Sequence, residues 1–289
     1  MTQRASAATL IERAAAAYGF EEALRAPAVS PDVAPPPAPV VRLRPERRPL
    51  PGAIKIDRER LAAGGFVAPQ GASGPLAEQV RLVKRGLLRA MAARPDAPRS
   101  VLVTSAQAGE GKTFSAVNLA LSLAGEQDLE VLLIDGDFAK PELAGLFGML
   151  PEPGFIDAVA DDRFDVEQAV AATDVAGLSL LAAGREAVNV TELLASSRTA
   201  AVIGRLLDAR ANRVVLFDTA PALASSQAAA LAAHVGHALL VVRADRTPEA
   251  DLRQAAKLLS ACPNLSAMLN GATLPAAGRR LGRYLGGSS

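Results

Sequence analysis

The sequence predicts an α/β fold in which helices cover both faces of a doubly wound, mostly parallel β-sheet. From residue 100 onward, short apolar runs alternate with helix-like segments, a pattern typical of buried parallel strands joined by crossover helices. Half of the 289 residues are hydrophobic, but only 3% are aromatic. We therefore expect a core of Ala, Leu and Val in one large domain with appendages.

Six apolar runs are expected to form the strands of this sheet. They are VLVTS at 101–105, EVLLI at 130–134, LSLLA at 178–182, VVLFD at 214–218, HALLVV at 237–242 and SAMLN at 266–270. Ahead of the first strand, an amphipathic helix is predicted over 76–93, because apolar side chains such as Val80, Val83 and Leu87 recur at helical spacing.

The rest of the chain divides by composition. Residues 1–25 are predicted to be a helical segment, and 26–55 a Pro/Arg-rich linker that contains nine of the 20 prolines. The domain proper is expected over 56–270, and 271–289 is expected to be a flexible tail.

Bulk properties limit the partners and the compartment. The net charge of +1 gives no reason to expect nucleic-acid binding. A single cysteine, Cys262, excludes an internal disulfide framework and favours the cytoplasm. Because the chain has no run of about 18 uncharged apolar residues, we expect any membrane association to depend on a partner protein.

A phosphate-binding loop is predicted between the first strand and the helix after it. Glycines let backbone N–H groups surround a phosphate, and the helix beginning at Lys112 directs its positive dipole at the same anion. The motif has Ala106 where the general P-loop pattern has glycine. We expect ATP to be bound by Ala106, Gln107, Ala108, Gly109, Glu110, Gly111, Lys112, Thr113 and Phe114.

Acidic residues follow two other predicted strands. Asp135 and Asp137 end the run VLLIDGD, and Asp218 ends VVLFD. Carboxyl ends of parallel strands meet at one edge of a sheet, so these carboxylates should lie beside the P-loop. We expect Thr113, Asp135 and Asp218 to hold Mg²⁺.

These motifs resemble the bacterial tyrosine autokinases of capsule and exopolysaccharide synthesis, which are relatives of the MinD and ParA ATPases. The resemblance covers about residues 76 to 270. It implies an ATP-dependent tyrosine kinase in which Lys112, Asp135 and Asp137 are catalytic, and it leaves open which aspartate takes the tyrosine proton. The ending Ala139–Lys140–Pro141 is similar to that of the exosortase-associated subgroup.

The resemblance also implies self-assembly and partners. Glu78, Arg81 and Lys84 match a helix motif associated with homo-oligomers. Tyr284 is the candidate phosphosite, because it is the one tyrosine in the tail. The implied activator is a membrane-embedded polysaccharide chain-length or co-polymerase protein, which would bring the cytoplasmic chain to the periphery of the inner membrane.

Two other functions remain open at this stage. One is a ParA- or MinD-type ATPase switch, but Gln107 stands where such proteins carry a signature lysine. The other is a nucleotide-sensing co-regulator of polysaccharide synthesis without kinase activity, since the tail offers so few tyrosines.

Overall fold

The computed structural model describes residues 52–67 and 73–272, which contain a seven-stranded sheet. The predicted segment 1–25, most of the linker 26–55, Tyr284 and nearly all of the tail lie outside the described residues. In chain order the strands are β1 (Ser100–Ser105), β2 (Glu130–Gly136), β3 (Ala171–Ala172), β4 (Leu178–Leu181), β5 (Arg213–Thr219), β6 (His237–Arg243) and β7 (Leu265–Asn270).

Nine α-helices and one short 3₁₀-helix, Val166–Ala169, lie within the described ranges. None of these helices is both long and apolar enough to cross a lipid bilayer. The α-helices are α1 (Arg58–Ala63), α2 (Pro75–Ala92), α3 (Lys112–Ala124), α4 (Leu143–Phe147), α5 (Phe155–Ala160), α6 (Val190–Ala195), α7 (Ser197–Asp208), α8 (Ser226–Ala232) and α9 (Glu249–Leu258).

The sheet has the strand order β3-β4-β2-β5-β1-β6-β7. Every neighbouring pair is parallel except β3 with β4. The predicted mostly parallel sheet and all six predicted strands are therefore confirmed. Strand β3 was not predicted, because two alanines carry no periodic signal and pair only once β4 is in place.

The central strands are buried on both faces. Every residue of β1 and β5 is buried, as expected of parallel strands that helices cover on each side. Few aromatic rings take part, and Phe155 packs edge-on against Phe217 with ring centroids 5.1 Å apart. The core is otherwise mostly Ala, Val, Leu and Ile.

The segment before α2 packs against the domain. Ile54 N donates to Ala172 O at 2.8 Å, which adds a short bridge beside β3. The Phe66 ring lies 5.4 Å from the Phe114 ring, next to the P-loop. Ile54 belongs to the range predicted as linker, so the packed domain includes the last residues of that range.

Two glycines differ sharply in the space around them. A Cβ on Gly204, within α7, would have no heavy atom within 4 Å, whereas a Cβ on Gly154 would lie 2.2 Å from Ala182 O. We expect Gly204→Ala to raise the free energy of unfolding by about 0.5–1 kcal/mol, because alanine restricts the unfolded chain and favours helix. Gly154→Ala should lower it by about 2–3 kcal/mol through overpacking.

Chemical denaturation of both variants beside the wild type measures these changes. Equal midpoints for the two variants would contradict the packing described around Gly154.

Candidate active site

The carboxyl ends of three neighbouring strands form the edge where the candidate site residues meet. In the sheet, β5 lies between β2 and β1. Asp135 of β2 is in register with Asp218 of β5, and Val103 of β1 is in register with Asp218 on its other side. Strand β1 runs on into the P-loop. The topology thus brings the loop and both aspartates together, although they are far apart in sequence.

The P-loop backbone depends on two of its glycines. Gly109 and Gly111 have φ angles of +77° and +95°, in the left-handed region that favours glycine. A Cβ on Gly111 would also lie 2.2 Å from Asn270 Nδ2. Within the described ranges, Asp245 alone among non-glycine residues has a positive φ. Ala106 therefore needs no glycine flexibility, which explains why alanine is tolerated at the first position of the motif.

Lys112 is paired inside the site. Its Nζ lies 3.1 Å from Asp137 Oδ2 and 3.3 Å from Thr113 Oγ1. The Lys112 and Asp137 side chains are 13% and 11% exposed, so their charges are only weakly screened by water. The second Asp137 oxygen, Oδ1, accepts from Lys140 N at 3.1 Å. A bound phosphate would compete with Asp137 for the Lys112 ammonium.

Asp135 is held by the backbone. Its Oδ2 accepts from Leu143 N at 2.9 Å and its Oδ1 from Asp137 N at 3.3 Å. Burial raises the pKa of Asp135 to about 6, although these two backbone hydrogen bonds act in the opposite direction. The carboxyl group is therefore fixed in orientation, and its ionisation falls just below neutral pH.

Asp218 is as deeply buried as Asp135, with 1% of the surface of each residue exposed. Burial raises the pKa of Asp218 to about 7, against the opposing effects of the Lys112 charge and a hydrogen bond with Thr113. Its Oδ1 has no hydrogen-bond partner within the described residues. A buried acceptor without a donor is costly, and a cation or its water shell would satisfy it.

These oxygens fit a magnesium ion. Mg²⁺ is usually bound by one or two carboxylates, substrate phosphates and water rather than by a cage of protein ligands. In the described part of the chain, no group of three or more His, Cys, Asp and Glu side chains could hold a metal ion by itself. Thr113, Asp135 and Asp218 instead offer the incomplete oxygen set that leaves room for phosphate and water.

Further contacts to the P-loop were not predicted from the sequence. The buried Glu110 carboxyl accepts from Thr247 Oγ1 at 2.5 Å, and the Glu110 carbonyl accepts from Asn270 Nδ2 at 2.8 Å. The Gln107 side chain donates to Asp251 of α9. Thr247 ends the segment VVRADRT, which lies within the range of the family resemblance. Its contact with Glu110 joins residues 137 positions apart, so no local sequence pattern indicates it.

The three residues predicted to support oligomers do not share one role in the chain. Glu78 and Arg81 form an exposed ion pair on α2, with 2.7 Å between Oε2 and NH1. Lys84 is mostly buried, and its Nζ lies 2.5 Å from Glu126 Oε1 and 3.2 Å from Ser122 O. Lys84 therefore ties α2 to the end of α3. Its contacts give it an internal role that the family motif did not indicate.

Sequence comparison finds relatives for about three fifths of the chain. No protein-family model matches it. EpsB of Ralstonia nicotianae is 35% identical over 186 residues, which are 64% of this chain but only 24% of EpsB. The tyrosine-protein kinase YwqD of Bacillus subtilis is 34% identical over 178 residues, which are 61% of this chain and 73% of YwqD.

Solved structures agree with this kinship. The kinase domain of the Escherichia coli tyrosine kinase ETK has a TM-score of 0.65 and 27% identity, and the match covers 73% of this chain and 82% of that domain. The VpsO kinase domain is 32% identical with a TM-score of 0.53, over 67% of this chain and 98% of that domain. The MinC:MinD complex of Aquifex aeolicus shares the fold alone. Its match has 19% identity and a TM-score of 0.51, and it covers 63% of this chain and 72% of the matched chain. The P-loop fold, the acidic strand ends and the match to most of YwqD lead to one conclusion: this chain belongs to the bacterial tyrosine-protein kinase family.

Proposed function

We propose that the chain is an ATP-dependent protein-tyrosine autokinase, which transfers the γ-phosphate of ATP to a tyrosine of a neighbouring copy. One observation carries the proposal: Lys112 and Asp137 are paired at the P-loop beside Asp135 and Asp218, which are in register on adjacent strands. Phosphoryl transfer requires chiefly this combination of positioning and charge stabilisation. The kinship with named tyrosine kinases supports the same reaction.

Each residue has a distinct task in this proposal. The P-loop N–H groups and Lys112 bind the phosphates, and Lys112 balances the negative charge of the transferring group. Thr113, Asp135 and Asp218 would hold magnesium, which supplies further charge neutralisation at the phosphate oxygens. The near-complete burial of Asp218 keeps bulk water away from the inner side of the site.

Asp137 is better suited than Asp135 to accept the tyrosine proton. Both oxygens of Asp135 accept backbone N–H groups, so this carboxyl group is committed to its place. Asp137 Oδ2 instead contacts the Lys112 ammonium, and phosphate oxygens would compete for that contact. Binding of ATP would then leave Asp137 able to orient the incoming hydroxyl and receive its proton.

Transfer between copies requires an oligomer. The exposed Glu78–Arg81 pair on α2 is our candidate for contact with a neighbouring copy. Tyr284 is the proposed acceptor, and Arg279, Arg280 and Arg283 beside it would favour approach to an anionic active site.

We further propose a role in exopolysaccharide polymerisation and export. The activator would be a membrane-embedded chain-length or co-polymerase protein that holds the chain at the cytoplasmic side of the inner membrane. The Ala139–Lys140–Pro141 sequence supports membership of the exosortase-associated subgroup.

An ATPase switch of the ParA or MinD type is less well supported. The residue in place of the signature lysine, Gln107, donates its side-chain N–H to Asp251 of its own chain. A glutamine held in this way carries no positive charge toward a partner's nucleotide. A nucleotide-sensing co-regulator would bind ATP in the same site without forming phosphotyrosine, so the product distinguishes all three functions.

We expect Tyr284→Phe to abolish phosphotyrosine formation when the purified chain is incubated with magnesium and ATP. The reason is that the chain has two tyrosines, and Tyr284 is the one that lies in the predicted flexible tail. The measurement is phosphotyrosine immunoblotting with mass spectrometry of the modified peptide. Tyr18→Phe is the matched control and should leave the signal unchanged.

Mixing tests transfer between copies. A Lys112→Ala chain with Tyr284 intact should become phosphorylated only when a Tyr284→Phe chain is added as kinase. Phosphate on Lys112→Ala protein alone would contradict the proposed catalytic role. ATP hydrolysis without phosphotyrosine, even with a membrane activator present, would favour the switch instead.

A further inference from the structure

A set of hydrogen bonds joins the P-loop to the turn after β6 and to the end of β7. It consists of Gln107, Glu110, Thr247 and Asn270, and is here called the Glu110 network. Glu110 Oε2 accepts from Gln107 N at 3.0 Å, and Glu110 Oε1 accepts from Thr247 Oγ1 at 2.5 Å. The Glu110 carbonyl accepts from Asn270 Nδ2 at 2.8 Å. One residue thus links three chain segments.

The burial of Glu110 is unusual for its residue type. Only 2% of its surface is exposed, and glutamate is rarely buried so completely unless it is paired. Here both carboxyl oxygens accept hydrogen bonds, which offsets the cost of removing them from water. Thr247 is itself fixed, because its Oγ1 accepts from Arg243 N at 2.8 Å. The anchor for Glu110 is therefore rigid.

The neighbours of Glu110 in sequence need such an anchor. Gly109 and Gly111 flank it, both with positive φ, and glycine loses more conformational freedom on ordering than any other residue. If the loop became ordered only when nucleotide bound, the entropy cost of ordering these glycines would weaken the binding of nucleotide. Asn270 also packs where a Cβ on Gly111 would lie.

We propose that Glu110 is a positioning residue: its side chain, held by Thr247, and its carbonyl, held by Asn270, keep the P-loop backbone in its phosphate-binding form, and the carboxyl group itself does not touch the nucleotide. This inference rests on the proposed function only in taking ATP as the ligand. Its consequence is that nucleotide affinity depends on Thr247, a residue outside the P-loop motif.

Nucleotide binding to the full chain tests the proposal. We expect Glu110→Gln and Thr247→Val each to raise the Kd for Mg-ATP by about tenfold, and the double variant to raise it by less than the product of the two single effects, because both changes weaken the contact between Glu110 and Thr247. Glutamine keeps the shape of the side chain but presents an N–H group to one of the two donors. Thr247→Ser retains the hydroxyl and should bind within about twofold of wild type.

Glu249→Gln is the matched control. It makes the same acid-to-amide change on α9, at a side chain that is 75% exposed, and should leave the Kd unchanged. If Thr247→Val lowers Tm but not affinity, or if the effects of the two single variants multiply, the positioning role is wrong.

Binding and phosphotransfer are read separately. If the Glu110 and Thr247 variants bind Mg-ATP with the wild-type Kd while the wild-type chain forms phosphotyrosine, the positioning role is wrong and the kinase proposal stands. If the variants show the expected changes in Kd but the wild-type chain forms no phosphotyrosine, the positioning role stands and the kinase proposal is wrong.

Discussion

Replacing Lys112 with methionine should lower the rate of phosphotyrosine formation by roughly a hundredfold to a thousandfold, the range found when one charge-stabilising group is lost. Lys112 Nζ lies 3.1 Å from Asp137 Oδ2 in a nearly buried pair. Methionine has a similar length but no charge, so the contribution of Lys112 to balancing the developing charge on the transferring phosphoryl group would be lost. Initial rates with an added tyrosine peptide measure the effect without requiring the tail.

Lys257→Met is the matched control for this change. Lys257 is exposed in the last turn of α9, and its replacement should leave both the rate and Tm unchanged. A Lys112→Met chain that keeps its Tm and more than about a tenth of the wild-type rate would contradict the catalytic assignment.

Asp218→Asn should have effects of opposite sign on activity and on stability. Loss of one proposed magnesium ligand should reduce phosphotransfer by about a hundredfold or more. In nucleotide-free and magnesium-free protein, the same change should raise the free energy of unfolding at pH 8 by about 2–4 kcal/mol, because an ionised carboxyl group no longer has to be buried. Urea unfolding in the presence of a chelator measures the second effect.

The pH dependence of that gain follows from the direction of the pKa shift. The Asp218 pKa is about 7 in the folded chain against an ordinary value of 3.8. Between these values the folded state binds more protons than the unfolded state, so wild-type stability falls as pH rises and levels off above the folded pKa. The advantage of Asp218→Asn should therefore be small near pH 4 and fully present by pH 8. A gain that did not vary with pH would contradict the buried, protonated state of Asp218.

Asp174→Asn supplies a control with the opposite trend. Burial acts to raise the pKa of Asp174, but hydrogen bonds from Ile56 N and the Arg58 guanidinium outweigh it, and the net pKa is lowered. The stabilisation from a lowered carboxyl pKa is present above the ordinary pKa and is lost as pH falls through the folded value. Asp174→Asn should therefore destabilise the chain at pH 8, and this difference should shrink as the pH falls below the ordinary value of 3.8.

Much of this fold is visible in the sequence because its signals are local. A parallel strand covered on both faces reads as a nearly continuous apolar run, so the apolar centres of β1 and β5 stand out in the sequence. The P-loop is equally local, because Gly109 and Gly111 must adopt left-handed backbone angles within a few residues of Lys112. Asp135 and Asp218 are recognisable because each ends such an apolar run.

Other features have no local signal. The family motif groups Lys84 with Glu78 and Arg81, but nothing local in the sequence indicates that the packing of α2 on α3 pairs Lys84 with Glu126. The bridge between Ile54 and Thr173 joins the end of a proline-rich segment to the β3 edge of the sheet. Residue propensities predict neither this bridge nor β3 itself.

The sequence by itself determined the strand-helix alternation, the phosphate-binding loop and the acids that face it, because each depends on residues close together in the chain. Only the tertiary structure decided which oxygens of Asp135 and Asp137 are engaged, how deeply Asp218 is buried, and that Glu110 is held by Thr247 and Asn270. The physical reason is that burial, pKa and hydrogen-bond partners are set by neighbours in space, and in a parallel sheet those neighbours come from distant strands.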